Sequence, residues 1–210
     1  MIRQGVFGGT FDPIHVGHLD VADAARRALA LDRIQVMPAR VPPHRSSPVA
    51  SATHRFAMAA LAIQDHIGLM LSDLEMEAGG PSYTSATLDR LEARGVDTSQ
   101  LFFITGADAF REIATWKDYP RILDRTHFVA VSRPGCAATA LRGLLPDLGN
   151  RMIESPYEIP PRPGIFLVDA PTAPVSSTEI RERLARGQDI AGLVPATVKT
   201  YIERQDLYLA

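Results

Sequence analysis

Short apolar runs alternate with stretches of helical periodicity along most of the chain. Residues 2–7, 34–37, 69–74, 101–104, His127–Val131 and Ile165–Val168 read as six strands. Between them the apolar spacing widens to three and four. Val21, Ala25, Ala28 and Leu29 mark a first helix, and Phe56, Ala60 and Ile63 share a face of a second with Thr53 as its N-cap. Residues 83–94 predict a third helix ending at Gly95, after a break at Gly79-Gly80-Pro81. A short helix carries the chain from 106–108 to Trp116. Prolines at 134, 146, 156, 160, 161 and 163 predict mostly loop over 133–163, with one short helix near 141–145. Ser176 to Glu179 has capping-box spacing and opens a helix ending near Gly187. Pro195 suits the first turn of a last helix through Val198 and Ile202.

The wholly apolar 101–104 run fits a central buried strand. The strand–helix alternation predicts an α/β fold, a doubly wound and mostly parallel sheet with C-terminal helices. One domain over 1–210 is expected, with its helical element at about 176–210. Ligands on such a sheet sit at the strand C-termini, near the reversal of strand order.

Composition narrows the function classes. The 210 residues are 46% hydrophobic, enough for a full core, and carry a formal net charge of −2. No global basic field calls for nucleic acid or an anionic membrane, so any anion must be held by local groups. Cys136 is the only cysteine, which excludes an intrachain disulfide and suits a reducing cytoplasm. No basic-then-apolar leader precedes the first strand, and no apolar run reaches the ~20 residues of a membrane span. Oligomeric state has no signal in the sequence.

The candidate chemistry sits at the turn after the first strand, Gly8-Gly9-Thr10-Phe11-Asp12-Pro13-Ile14-His15-Val16-Gly17-His18. Paired glycines let a ligand approach the backbone closely. His15 and His18, three apart at a helix start, can turn their rings to one side, beside free N–H groups and the positive dipole end. That combination suits phosphate. It is neither a dinucleotide fingerprint nor a P-loop, since no G-x-G-x-x-G opens a helix and no Gly-Lys-Ser/Thr ending follows. A second helix start, Ser176-Ser177-Thr178-Glu179-Ile180-Arg181, offers hydroxyls, N–H groups and a fixed charge, or is a cap without a ligand. Pro42-Pro43-His44-Arg45 is either a polyproline turn or a loop reaching over an anion. Ser82-Tyr83-Thr84 opens a helix; Trp116 is a core residue or a stacking platform; Asp108 is an N-cap or an acceptor for ribose hydroxyls.

The G-T-F-D-P-x-H-x-G-H pattern resembles the nucleotidyltransferase superfamily. With P-P-H-R, P-S-Y-T, I-T-G-A-D, Trp116, V-S-S-T-E-I-R, L-V-P and a terminal L-Y, the chain from Val6 to Tyr208 resembles the bacterial nicotinate-nucleotide adenylyltransferases. Ala78 stands where that family often carries Arg, and Arg45 where many members have Lys. The resemblance implies adenylyl transfer from ATP to nicotinate mononucleotide, giving nicotinate adenine dinucleotide and pyrophosphate, with Mg²⁺ arriving on the ATP and no protein-built metal cage. It implies His15 and His18 as catalytic. It puts Gly8, Gly9, Thr10, Phe11, Gly17 and both histidines on ATP, along with Arg45, Gly106 and Asp108. The second helix start adds Ser176, Ser177, Thr178, Ile180 and Arg181 to the ATP side. It puts Thr10, Phe11, His44, Ser82, Tyr83, Thr84 and Trp116 on the mononucleotide. The competing readings are an amide-using or phosphopantetheine adenylyltransferase, a zinc hydrolase using the two histidines, and a non-catalytic nucleotide sensor.

Overall fold

A computed structural model describes residues 2–43, 48–77, 79–154 and 159–209. His44, Arg45 and Ala78, singled out above, lie outside the described residues. Seven parallel strands form one sheet in the order β3-β2-β1-β4-β5-β7-β6. They are β1 (Gln4–Gly9), β2 (Arg33–Pro38), β3 (Leu69–Leu71), β4 (Leu101–Gly106), β5 (His127–Val131), β6 (Met152–Ile153) and β7 (Ile165–Val168). The helices are α1 (Val16–Ala28), α2 (Ala52–Ile63), α3 (Thr84–Ala93), α4 (Ala107–Phe110), α5 (Leu141–Leu144), α6 (Ser177–Ala185) and α7 (Ala196–Arg204). No helix among the described residues is long and apolar enough to cross a membrane.

Each strand face needs its own cover, because a parallel sheet is buried on both sides. Alternate side chains feed two cores. Phe7, Ile34 and Ile104 pack with α1, α2, α6 and α7 on one face. Val6, Phe103 and Phe128 pack with α3, α4 and α5 on the other. The strand order reverses between β1 and β4, which pair Val6 to Phe103 and Phe7 to Ile104. A crevice therefore opens above the carbonyl ends of those two strands.

Several sequence expectations shift on the structure. The first strand starts at Gln4 and runs on to Gly9, since Ile2 is 64% exposed and has no sheet partner. The third strand stops at Leu71, where pairing with β2 ends. The N-cap of α2 is Ser51, whose hydroxyl accepts from the His54 N–H at 3.2 Å, not Thr53. Its inward face is Arg55, Met58, Ala59, Ala62 and Ile63, so of the expected face Ile63 is buried while Phe56 and Ala60 are only half-buried. The 133–163 segment contributes a two-residue strand, β6, at the sheet edge, besides the short helix α5.

Candidate active site

The turn after β1 is tightly built. Phe11 has φ +50°, uncommon for a bulky residue. Its ring is buried edge-on against Phe7 at 5.3 Å and His18 at 5.1 Å. Gly9 has no alternative here, because an added Cβ would stand 2.7 Å from that ring. The Asp12 carboxylate is buried and saturated. It accepts from the Val49 and Ala50 N–H groups at 2.8 and 3.1 Å and from the Tyr208 hydroxyl at 2.7 Å. Burial and the Asp12 charge push the Tyr208 hydroxyl pKa far up, so Tyr208 stays a donor. Beneath the turn, the fully buried Arg55 donates to the carbonyls of Thr10 and Ala39 at 2.6 Å each, and of Arg40 at 3.0 Å.

His15 and His18 lie together at the start of α1, rings stacked with centroids 3.6 Å apart. The His15 N–H donates to His18 Nδ1 at 3.2 Å. An Nδ1 that accepts carries no proton, so in the neutral ring the proton is on Nε2. His15 is 1% exposed, and its pKa falls to about 3, first through burial and then through the Arg133 charge. Arg133 reaches in from the end of β5 and donates to the Gly17 carbonyl at 2.9 Å and the Val175 carbonyl at 3.0 Å. It thereby joins α1 to the approach of α6. Gly17 suits that close junction: a Cβ there would stand 2.8 Å from the Arg133 Nη1 and 3.1 Å from the Ala173 carbonyl oxygen.

The C-terminal motif closes on the same turn. Ser176 caps α6, accepting from the Glu179 N–H at 3.1 Å. Ser177 donates to the Pro13 carbonyl at 2.9 Å, and Arg181 donates to the Asp12 carbonyl at 2.7 Å and to Thr178 Oγ1 at 3.2 Å. Glu179 does not complete the box; its carboxylate holds Arg183.

These elements wall a cleft of about 420 Å³. Gly8 to Asp12, His15 and His18 line it with Gly106, Asp108, Ser176, Ser177, Thr178 and Arg181. So do Ser82, Tyr83, Thr84 and Trp116, which lie far away in sequence. Three helix starts thus border one cavity: His15 caps α1, Tyr83 caps α3 and Ser176 caps α6. Their dipoles and N–H groups favour an anion there. Trp116 is half-buried, held edge-on by Phe103 and Phe128 at 6.4 and 6.2 Å. Asp108 is exposed at the cleft and is not a cap, since Gly106 caps α4.

Two expected ligand residues fall elsewhere: Ile180 is fully buried in the core, and Gly17 is packed under Arg133. Glu75, Lys117 and Arg133 also line the cleft and were not singled out from the sequence. For Arg133 a signal existed, since it lies two residues past the C-terminal end of a central strand. Among the described residues no group of three or more His, Cys, Asp or Glu is gathered to hold a metal ion. A zinc hydrolase needs three protein ligands, and among the described residues the two stacked imidazoles have no third beside them.

The buried histidines make stability pH-dependent. His15 and the fully buried His127 both have lowered pKa values because burial disfavours their charged forms. The unfolded chain therefore binds more protons below about pH 6.5. This share of stability is complete above that pH and is lost as pH falls toward 3. Denaturant midpoints should already drop between pH 6.5 and 5, before carboxylates titrate appreciably. A flat profile over that interval would count against both buried neutral rings.

The family model described as cytidylyltransferase-like matches residues 6–183. A relative from Desulfatibacillum aliphaticivorans, named "Probable nicotinate-nucleotide adenylyltransferase", is 39% identical over 99% of this chain and 100% of its own length. One from Thermus thermophilus with the same name is 42% identical, again over 99% and 100%. Among solved structures, the nicotinic acid mononucleotide adenylyltransferase of Plasmodium falciparum complexed with NaAD superposes with a TM-score of 0.77. It covers 99% of this chain and 98% of its own at 21% identity, a likeness of fold.

Proposed function

The chain belongs to the cytidylyltransferase-like family, among its nicotinate-nucleotide adenylyltransferases, and we propose that it transfers the AMP moiety of ATP to nicotinate mononucleotide. The products are nicotinate adenine dinucleotide and pyrophosphate. The observation that carries this reading is the single cleft bordered by three helix starts and two stacked imidazoles. Such a cleft holds two phosphorylated molecules at once.

In the reaction, a phosphate oxygen of the mononucleotide bonds to the α-phosphorus of ATP. The bond from that phosphorus to the oxygen bridging to the β-phosphorus breaks in line, and pyrophosphate leaves with the electron pair. The nucleophile is already an anion, so no general base is required. Catalysis rests on holding two anions together and stabilising charge on the transferred group. On this reading His18, oriented by the His15 N–H, donates to phosphate oxygens together with the Gly8 to Phe11 backbone. The α6 start and Arg181 hold the β- and γ-phosphates, and Asp108 accepts from the ribose. The Asp12 carboxylate is fully engaged within the protein, so a divalent cation such as Mg²⁺ would be held chiefly by the triphosphate. Trp116 stacks on the pyridine ring, and the α3 start at Thr84 receives the ring carboxylate. The whole chain acts as one nucleotidyltransferase domain, and its lone cysteine suits the reducing cytoplasm.

The test is pyrophosphate release with ATP and, in turn, nicotinate mononucleotide, nicotinamide mononucleotide and phosphopantetheine. The acid mononucleotide should give the highest kcat/KM. Higher kcat/KM with either competitor would overturn the assignment.

A further inference from the structure

We propose that Lys117 is a specificity-determining residue whose ammonium selects a carboxylate-bearing pyridine over a neutral, amide-bearing one. This rests on the reading that the pyridine ring lies between Trp116 and the α3 start. Among the described residues, three cations line the cleft: Lys117, Arg133 and Arg181. Arg133 is committed to the Gly17 and Val175 carbonyls, and Arg181 to the Asp12 carbonyl and Thr178. Lys117 is different. Its Nζ stands 5.1 Å from the centroid of the Tyr83 ring, within the range of a cation–π contact. No ion pair or hydrogen bond ties it to another described residue. Its charge is thereby parked over the ring of Tyr83, the residue that caps α3.

The neighbouring groups give this charge its consequence. Trp116 precedes it in sequence, lines the same cleft and offers a ring face that serves an acid and an amide alike. Stacking therefore gives affinity without discrimination. A pyridinium with a neutral amide carries a full positive charge and is repelled by a nearby ammonium. A pyridinium with a carboxylate is neutral overall and presents its negative end to Lys117. The same side chain thus raises affinity for one substrate and lowers it for the other, and specificity is the difference of the two. The dipole of α3 acts in the same sense but with about half a unit charge. Because Lys117 is exposed, its effect should be moderate and screened by salt.

The experiment compares kcat/KM for nicotinate and nicotinamide mononucleotides in the unmutated enzyme, Lys117→Met and Lys117→Glu. Methionine keeps the apolar stem over Tyr83 and removes the charge. Lys117→Met should lower the acid-over-amide ratio about tenfold, mainly through a higher KM for the acid, and leave the KM for ATP unchanged. Lys117→Glu should lower the ratio further, on the order of a hundredfold. Raising ionic strength should shrink the ratio in the unmutated enzyme and leave the Lys117→Met ratio in place. A Lys117→Met ratio within twofold of the unmutated value would overturn the proposal. A parallel loss for both substrates would overturn it too, because Lys117 would then serve the phosphate that both share. Use of neither mononucleotide by the unmutated enzyme would instead overturn the proposed reaction itself, and the premise with it.

Discussion

His18→Ala should lower kcat by ~10²-fold or more while changing the KM for ATP only a few-fold. The reason is the degree to which this ring is fixed before any substrate arrives. Its Nδ1 accepts from the His15 backbone N–H, its face stacks on His15, and it packs perpendicular to the Phe11 ring. In the neutral ring the proton is consequently on Nε2, the nitrogen suited to donate to a phosphate oxygen. A donor that needs no reorganisation when charge develops is worth far more in the transition state than in the ground state. Removing one such donor typically costs 10²–10³ in rate. His18→Asn or His18→Gln, which restore an N–H donor with different reach, should recover only part of the loss. A kcat within a few-fold of the unmutated value for His18→Ala would remove His18 from the chemistry. His15→Ala is a poorer probe: the backbone N–H that orients His18 remains, but the buried ring stacked against it is lost, so folding and catalysis would change together.

The contrast between these two histidines marks what the sequence makes legible. The cleft was readable where its chemistry lies in contiguous motifs at strand ends and helix starts. Gly8 to His18 and Ser176 to Arg181 carry their own turn, cap and anion signals, and the sheet topology brings them together. Spacing alone predicted that the two rings would share a side. It could not say that His15 would be sealed in and His18 left half-buried, since burial is decided by groups such as Arg133 arriving from elsewhere. Glu75 and Lys117 reach the cleft in the same way, through folding, with no local pattern to announce them. Strand β6 was hidden because two residues among prolines carry no period at all.

Arg55 is the sharpest case, since periodicity pointed the wrong way. A charged residue in a helical window is assigned to the solvent face, because arginine is almost never fully buried unless paired. The apolar spacing puts Phe56, Ala60 and Ile63 on one face, of which only Ile63 is buried. The structure instead buries Arg55 to 1% exposure and spends its donors on backbone carbonyls of the two loops that follow β1 and β2. A fourth bond runs from its Nε to the Ala50 carbonyl at 3.3 Å. Burial lowers its pKa, and the Asp12 carboxylate opposes that shift. Arginine remains charged in any case.

The expected result for Arg55→Ala is therefore the largest stability loss of any single change considered. Truncation strands the carbonyls of Thr10, Ala39, Arg40 and Ala50 without their donor and removes a buried charge that attracts the Asp12 carboxylate. Removing one partner of a buried charged network costs about 3–5 kcal/mol. For a chain of this size each kcal/mol lowers Tm by roughly 2–4 °C, so Tm should fall by on the order of 10 °C. Arg55→Met, which fills most of the space, should recover the packing part only, since the carbonyls stay without their donor. Because Thr10 and Ala39 also line the cleft, the rise in Tm produced by a fixed excess of ATP should shrink in both variants. A Tm within about 3 °C of the unmutated protein for Arg55→Ala would mean that water or neighbouring donors replace the guanidinium. The two loops would then keep their positions by packing, and the buried cation beneath the cleft would be dispensable.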